Sequence, residues 1–382
     1  MTPSARRLRP EERVWSPVID QHATWIAVNP VQGCTKGCAY CFLNERGQTR
    51  VRPRQVATPA EAVEQLLASE VYAPDRAVAL YTWTDVMALS SSREHLHRLL
   101  GEWQRARVPN PLVLITKCRV PDETIARLTA ARAAGVPLVV FLSYSGLGKD
   151  IEQGIRHQDS ARNFPALSAA GIPLVHYWRP VLPTAATPEV MTGVLDLAAR
   201  YARCSMVAGL KVERAALGRL AGVWPELALA PQATEAEGVY PRPFWEFVHS
   251  TRRKHPGYPV FHATACALAY VLRQPDRFGI YGSEMCRQRT VCPAVQRDRC
   301  AAAAPPLPTD EAVTAALRLR GLSGVGHRLD VDGRELVLDA AVPARVVGAL
   351  TQDLRVRVRV DGQGDDRYWS SGTAGAAPLI VG

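Results

Sequence analysis

The sequence predicts an α/β fold in which successive parallel strands curl into a barrel or lie in an open, doubly wound sheet. Three observations predict it. From Trp25 to Lys211, short apolar runs alternate with helix-like stretches opened by Thr-Pro pairs and closed by Gly. Two phrases nearly repeat, ARAAGVPLVVFLS (131–143) and SAAGIPLVHYWRP (168–180). Each is a helix end, a Gly suited to the left-handed cap, then an apolar strand, the rhythm of successive αβ units. The chain has 382 residues, of which 47% are hydrophobic, enough for one large domain and a smaller one. Parallel strands joined by right-handed crossovers leave only those two architectures. In a barrel the chemistry sits at the carboxyl ends of the strands.

The elements follow in order. Trp25 to Asn29 reads as the first strand. Thr58 as N-cap and Pro59 at the first helical position open a helix through Ser69. Ala77 to Trp83 is a strand, and a helix runs from about Arg93 to Arg105. Leu112 to Thr116 is a buried strand, Pro121 to Ala134 a helix, and Leu138 to Ser143 a strand. Ser160 to Ala170 is a helix, Leu174 to Trp178 a strand, Thr187-Pro188 to about Ala202 a helix, and Met206 to Lys211 a sixth strand. An irregular extension (216–300) follows this main domain (15–215), and 301–308, AAAAPPLP, reads as a linker. A small α+β module (309–362) comes next: a helix from Thr309 to Leu319, a hairpin of Arg328–Val331 and Glu335–Leu338 about Asp332-Gly333, a helix from Val342 to Leu350, and a strand from Arg355 to Val360. Residues 363–382 read as a flexible tail.

No run of eighteen apolar residues suggests a membrane span, and the start, MTPSARRLRPEER, has no apolar core of a secretory signal, so a cytoplasmic protein with no membrane partner is expected. The formal net charge of +10 favours anionic partners such as nucleic acids or nucleotides. A coding bias towards Arg, Ala and Pro is the competing explanation. Nine cysteines, an odd number, argue against a disulfide framework in a reducing compartment and point to metal.

Cys34, Cys38 and Cys41 stand in NPVQGCTKGCAYCFLN (29–44), directly after the first strand. Three thiolates so close on one loop can converge on one face of an iron–sulfur cube. Gly33 and Gly37 let that loop fold tightly. Three ligands for four irons leave one iron open to a substrate-like chelator. Structural zinc would want four ligands, and no fourth Cys or His lies in the adjacent loop.

The Cx3Cx2C spacing, with Tyr40 before the third Cys, resembles the signature of the radical S-adenosylmethionine (SAM) superfamily. Over residues 25 to 215 the sequence is most similar to the group containing spore photoproduct lyase. The shared features are the cluster loop, YTWTDV (81–86), LITKC (114–118) and SARNFPALSAAGIPLVHYWRPVLP (160–183). The resemblance implies a partial (β/α)6 TIM-like barrel, a [4Fe–4S] cluster, bound SAM, and reductive cleavage of SAM to a 5′-deoxyadenosyl radical that abstracts a hydrogen atom from a substrate. It implies a reducing partner such as flavodoxin or ferredoxin. It places Thr84 and Asp85 on the SAM amino group, Lys117 and Ser143 near its carboxylate or ribose, and the Tyr40 backbone on the adenine. The sequence departs from true spore photoproduct lyases at Thr82, where they carry a hydrogen-donor Cys. A threonine hydroxyl is a poor hydrogen-atom donor, and Cys118 is the nearby thiol that could substitute.

A second group, Cys266, Cys286, Cys292 and Cys300, lies in an Arg- and Gln-rich segment that would fold poorly around an apolar core. It suits an auxiliary [4Fe–4S] cluster or structural zinc, with unligated cysteines as the third alternative. Cys266, in an Ala-rich helical run, is the weakest ligand. His255 and His262 precede the group and could ligate metal or donate protons. In the last strand Arg355, Arg357 and Arg359 alternate with Val356, Val358 and Val360, giving either a basic docking face or a solvated one. The functional expectations are radical chemistry on a nucleic acid or nucleotide, radical modification of a peptide or small metabolite, or a non-catalytic iron–sulfur binding or sensing protein.

Overall fold

The computed structural model describes residues 10, 14–22, 24–236, 238–250, 255–276, 292–303, 305–331, 335–362 and 378–382. In chain order its strands begin with β1 (Ile19–Gln21), β2 (Ile26–Val28), β3 (Val31–Gln32), β4 (Gly37–Cys38), β5 (Arg54–Gln55) and β6 (Val78–Leu80). They continue with β7 (Leu112–Thr116), β8 (Leu138–Ser143), β9 (Glu152–Gln153), β10 (Leu174–Trp178), β11 (Cys204–Val207), β12 (Val239–Pro241) and β13 (Val260–Phe261). The last are β14 (His327–Asp330), β15 (Glu335–Leu338), β16 (Arg357–Val360) and β17 (Leu379–Val381). The main sheet has the order β1-β2-β6-β7-β8-β10-β11-β13. β1 is antiparallel to β2, and every other pairing in that sheet is parallel.

All six expected strands are in that sheet, joined by a seventh parallel strand, β13, drawn from the extension expected to be irregular. β1 and β13 are its two edges, so the sheet is open among the described residues. Two boundaries moved for local reasons. β6 stops at Leu80 because Tyr81 takes φ +59, a left-handed conformation a strand cannot continue through. β11 spans Cys204–Val207, not Met206–Lys211. At Gly209 a Cβ would lie 2.7 Å from the Val239 nitrogen, and Leu210 exchanges two 2.8 Å backbone hydrogen bonds with Val239. The chain therefore leaves the sheet there. The helix expected over 160–170 is two helices, His157–Ala161 and Asn163–Ala169. Pro165 has no N–H to give to the carbonyl four residues back, and the helix breaks at Arg162. The helix Pro59–Ala68 forms with the expected cap, Thr58 and Glu61 bonding each other reciprocally.

Side-chain alternation along the strands divides the core in two. One face carries Ile26, Val28, Val78, Leu80, Leu112, Leu114, Leu138, Val140 and Leu174 against Leu66, Leu99, Trp103, Leu128 and Phe164 of the helices. The other carries Trp25, Ala27, Ala79, Val113, Phe141, Val175, Tyr177 and Met206, covered by Ala267 and Leu268 of the helix Thr264–Leu272. Burial on both faces explains why the strands read as unbroken apolar runs.

The carboxyl-terminal module has its hairpin, β14 and β15, with β16 parallel to β15, between the helices Asp310–Leu319 and Ala344–Leu354. Its Leu317, Leu336, Val346 and Leu350 share one apolar core with the outer layer of the main domain. Arg320, 1% exposed, joins the two by bonding Asp353 at 2.7 Å and the Glu70 carbonyl at 3.2 Å. Within the stretch read as a tail, β17 pairs in parallel with β12 and is thereby tied to the extension.

Candidate metal centre

The cysteine loop leaves the carboxyl end of β2 and is fixed at every turn. Asn29, buried, accepts hydrogen bonds through Oδ1 from the Thr82 hydroxyl (3.0 Å) and the Trp83 N–H (3.2 Å). Gly33 takes φ +94 and its N–H bonds the Trp83 carbonyl at 3.2 Å. Any larger residue there would combine backbone strain with a Cβ 2.9 Å from Val51 Cγ2. The Cys34 N–H bonds the Gln48 carbonyl (2.8 Å), and its own carbonyl accepts from Val51 (3.0 Å). β4, which holds Cys38, pairs with β9, setting Cys38 opposite Glu152. The Asn44 amide donates to the carbonyls of Cys38 (3.0 Å) and Cys41 (2.8 Å), and its Oδ1 accepts from Thr49 (2.7 Å). The Arg219 guanidinium bonds the Ala39 carbonyl and Glu45 (2.6 Å).

Cys34 and Cys38 are buried and Cys41 is half-buried. Burial pushes all three thiols up, Cys38 to about 12; the Asp85 carboxylate adds to the rise at Cys34, and charge on other thiols of the trio adds to it at Cys38 and Cys41. Lys117 opposes the rise at Cys38 and Cys41. Buried thiols of this kind release their protons when a cation takes their place, so ligation and deprotonation are coupled.

Four further strand ends face the loop. After β6, Asp85 is held by three donors: the Met87 N–H (3.1 Å), the Thr116 hydroxyl (2.7 Å) and the Lys117 N–H (2.8 Å). Beside it, the buried Thr84 Oγ1 has no hydrogen-bond partner among the described residues. From the end of β7, Lys117 Nζ donates to Ser143 Oγ (2.7 Å), at the end of β8, and pairs with Glu152 (2.8 Å). The ammonium also lies 5.4 Å from the Tyr40 ring centroid. The Tyr40 hydroxyl donates to Glu152, and His157 Nδ1 lies 3.5 Å from the same carboxylate. Cys118, half-buried, has its thiol pushed far up by burial and then by the Asp85 carboxylate, with Cys34 close enough to contribute. Asn163 holds its carbonyl at 2.8 Å. Ser143 donates to the Arg179 carbonyl at the end of β10 (3.3 Å).

The structure thus gathers Cys34, Cys38, Cys41, Tyr40, Thr84, Asp85, Lys117, Ser143 and Cys118 at the carboxyl edge of one parallel sheet. The donor set fits an iron–sulfur cluster: three thiols withdrawn from water on one stapled loop, beside a buried hydroxyl lacking a partner. Among the described residues no three His, Cys, Asp or Glu side chains are grouped to hold one metal ion. A tetrahedral ion with metal–sulfur bonds of about 2.3 Å would need sulfurs within about 4 Å of each other. A cube lets each thiolate bind its own iron.

Sequence reasoning missed Glu152, Asn29 and Asn44. Glu152 sits in KDIEQG, between the expected strand Leu138–Ser143 and the next helix. Only the pairing of β9 with β4 buries it at 1% exposure. Asn29 and Asn44 flank the cysteines in the motif itself, and that position was the available signal.

The second cysteine group lies elsewhere. Cys266 donates to Asp276 Oδ2 (3.2 Å), the Asp276 N–H points to Cys300 Sγ (3.3 Å), and the Gln296 amide points to the same sulfur (3.4 Å). Cys292 is buried against the inner face of the sheet, and Cys286 lies outside the described residues. His262 follows β13 and packs among Tyr240, Trp245 and His249, while His255 bonds Asp196 at 3.0 Å. In β16, Arg357 pairs with Glu335 (3.1 Å) and Arg359 with Glu335 and Asp361 (3.3 and 2.7 Å), while Arg355 pairs with Asp75 (3.0 Å). That arginine row is therefore paired with the protein's own carboxylates, which favours the solvated face over the basic docking face among the two readings of the sequence.

No protein-family model matches the sequence, and no curated protein matches it. Among solved structures, a spore photoproduct lyase variant with bound AdoMet and dinucleoside spore photoproduct is similar at 12% identity and a TM-score of 0.44, over 65% of this chain and 78% of that one. Streptococcus suis SuiB bound to S-adenosylmethionine is similar at 15% identity and a TM-score of 0.41, over 62% of this chain and 49% of that one. SuiB bound to the precursor peptide SuiA is similar at 14% identity and a TM-score of 0.35, over 54% and 46% of the two chains. At this distance the likeness alone carries no chemistry, which rests on the cysteine loop and the strand ends around it.

Proposed function

We propose that this chain is a radical SAM enzyme, with a [4Fe–4S] cluster on Cys34, Cys38 and Cys41 at the mouth of a partial barrel. The observation that carries the reading is the convergence of those three withdrawn thiols with Thr84, Asp85, Lys117 and Ser143, contributed by separate strand ends. When bound, the cluster and SAM would supply reductive cleavage of the sulfonium and a 5′-deoxyadenosyl radical that takes a hydrogen atom from substrate.

The chain's own residues bind and orient. Thr84 offers a desolvated hydroxyl and Asp85 a carboxylate fixed by three donors, both suited to the SAM amino group. Lys117 and Ser143 suit its carboxylate or ribose, and the Tyr40 backbone its adenine. Lys117 is held ready by Glu152 and the Tyr40 ring, so little side-chain entropy remains to be lost on binding. Cys118 supplies a hydrogen-atom donor: burial and the Asp85 carboxylate hold it as a neutral thiol, the form that carries a hydrogen atom. Thr82 instead positions the loop through Asn29. Cys266, Cys292 and Cys300, with Cys286, are the ligands of an auxiliary [4Fe–4S] cluster, a reading supported by the way Asp276 gathers Cys266 and Cys300.

The net charge of +10 favours a nucleic acid or nucleotide substrate over a peptide or small metabolite. A salt-dependent shift with RNA or DNA separates the two. The main test is anaerobic reconstitution, reduction with dithionite and measurement of 5′-deoxyadenosine. Cys34→Ala, Cys38→Ala and Cys41→Ala should each abolish the product, and full turnover in any of them sinks the assignment. Cys266→Ala, Cys292→Ala and Cys300→Ala should lower iron while leaving the first cluster, and unchanged iron in all three removes the auxiliary cluster.

A further inference from the structure

Reductive chemistry at the cysteine loop consumes one electron per SAM cleaved, and the protein surface must offer a way in. Two arginines around the cysteine loop are already paired: Arg46 with Glu213 (3.8 Å) and Arg219 with Glu45 (2.6 Å). The outer strand of the cysteine loop differs. Lys36, Arg50, Arg52 and Arg54 lie on one ribbon, and among the described residues none has a carboxylate partner. Lys36 Nζ reaches only the Gly154 carbonyl (2.8 Å) and Arg50 only the Gln153 side chain (2.6 Å). Arg50, Arg52 and Arg54 are exposed, and so is Val51, 36% exposed in their midst.

The ribbon is also the outer wall of the site. The Val51 N–H bonds the Cys34 carbonyl at 3.0 Å, and the Arg50 N–H bonds the Lys36 carbonyl at 3.2 Å. One hydrogen bond therefore separates this surface from a cysteine of the trio. Concentrated, uncompensated positive charge around an apolar contact attracts an acidic partner and orients it over the shortest path inward.

We propose that the ribbon Lys36–Arg54 is the docking surface of an acidic one-electron donor protein, of the flavin or iron–sulfur class. This rests on the reading of Cys34, Cys38 and Cys41 as a cluster site. The transfer moves one electron from the donor's reduced group to the cluster, oxidising the one and reducing the other, with no bond made or broken in either protein.

The test uses the anaerobically reconstituted chain and a recombinant acidic flavodoxin. Binding is measured by calorimetry, and 5′-deoxyadenosine is measured with reduced flavodoxin and, separately, with dithionite. The Arg52→Glu/Arg54→Glu variant should bind flavodoxin about tenfold more weakly and lose flavodoxin-driven product in parallel, while dithionite-driven product is unchanged. Arg52→Lys/Arg54→Lys should bind as the parent does. Binding of the parent should weaken several-fold at about 0.3 M salt. Unchanged binding in the charge-reversed variant overturns the proposal, as does salt-independent binding. Loss of RNA or DNA binding with flavodoxin affinity retained also overturns it and assigns the ribbon to nucleic acid. Absence of product from the parent with dithionite counts against the cluster reading alone, because the calorimetric arm still decides the docking surface.

Discussion

At Glu152 one carboxylate meets three groups: Lys117 Nζ at 2.8 Å, the Tyr40 hydroxyl, and His157 Nδ1 at 3.5 Å. Such a pair adds little net stability over an apolar replacement, but removing one member strands the other. Glu152→Gln leaves the mostly buried Lys117 ammonium without its counter-charge and should cost about 3 kcal/mol in urea unfolding. Combining it with Lys117→Met should recover all but about 1 kcal/mol of that loss. Additive losses in the double variant would show that the two groups do not act as a pair. The same logic explains the Arg320–Asp353 pair, where a guanidinium 1% exposed also bonds a main-chain carbonyl.

At the scale of the element, the cysteine loop depends on backbone geometry as much as on its thiols. Gly33 at φ +94 lets the loop turn back on Trp83, and Asn44 turns the carbonyls of Cys38 and Cys41 to one side. Gly33→Ala adds left-handed strain of about 1–3 kcal/mol and a clash with Val51. Gly33 lies in the loop and outside the main sheet, so the strain should be released by shifting the loop while the sheet stays in place. Iron retained after reconstitution should fall while far-UV circular dichroism is unchanged. Full iron with native dichroism would mean that the turn is not needed for ligation.

Across the whole molecule, pH dependence follows from groups buried in their neutral form. His176, wholly buried between Ser205 (2.8 Å) and the Tyr144 carbonyl (2.8 Å), is lowered to about 4, chiefly by burial. His262 is lowered to about 4 and His22 to about 3 for the same reason. Between those values and the ordinary 6.5 the unfolded chain binds more protons, so the stability present above pH 6.5 is lost as pH falls. Asp20, raised by burial to about 7, has the opposite sign, because its neutral form favours the folded state on acidification. Asp20 and His22, 3.8 Å apart, largely offset each other. His176 and His262 then leave a net loss of about 4 kcal/mol from pH 7 to pH 5. Urea unfolding across that range checks it, and His176→Asn should remove about half of the slope. A flat profile in the parent would contradict the burial of both rings.

Much of the fold was legible because strands buried on both faces write themselves as apolar runs and caps write themselves as Thr-Pro and Gly. The cysteine trio was equally legible, since local spacing alone brings three thiols onto one loop. Lys117, Ser143 and Cys118 were named through the family resemblance, but their partners could not be. Glu152 became a buried counter-charge only when β9 paired with β4, across more than a hundred residues of chain. β13 joined the sheet, and Leu379–Val381 joined β12, for the same reason. For Arg355, Arg357 and Arg359 the sequence left a docking face and a solvated face equally open to reading, and only folding set Asp75, Glu335 and Asp361 beside them. By itself the sequence determined what neighbours in the chain decide: helix ends, strand runs and the cysteine loop. Only the tertiary structure decided which charges are neutralised and which remain free, because an ion pair or a sheet edge depends on distance through space, and sequence separation does not encode it.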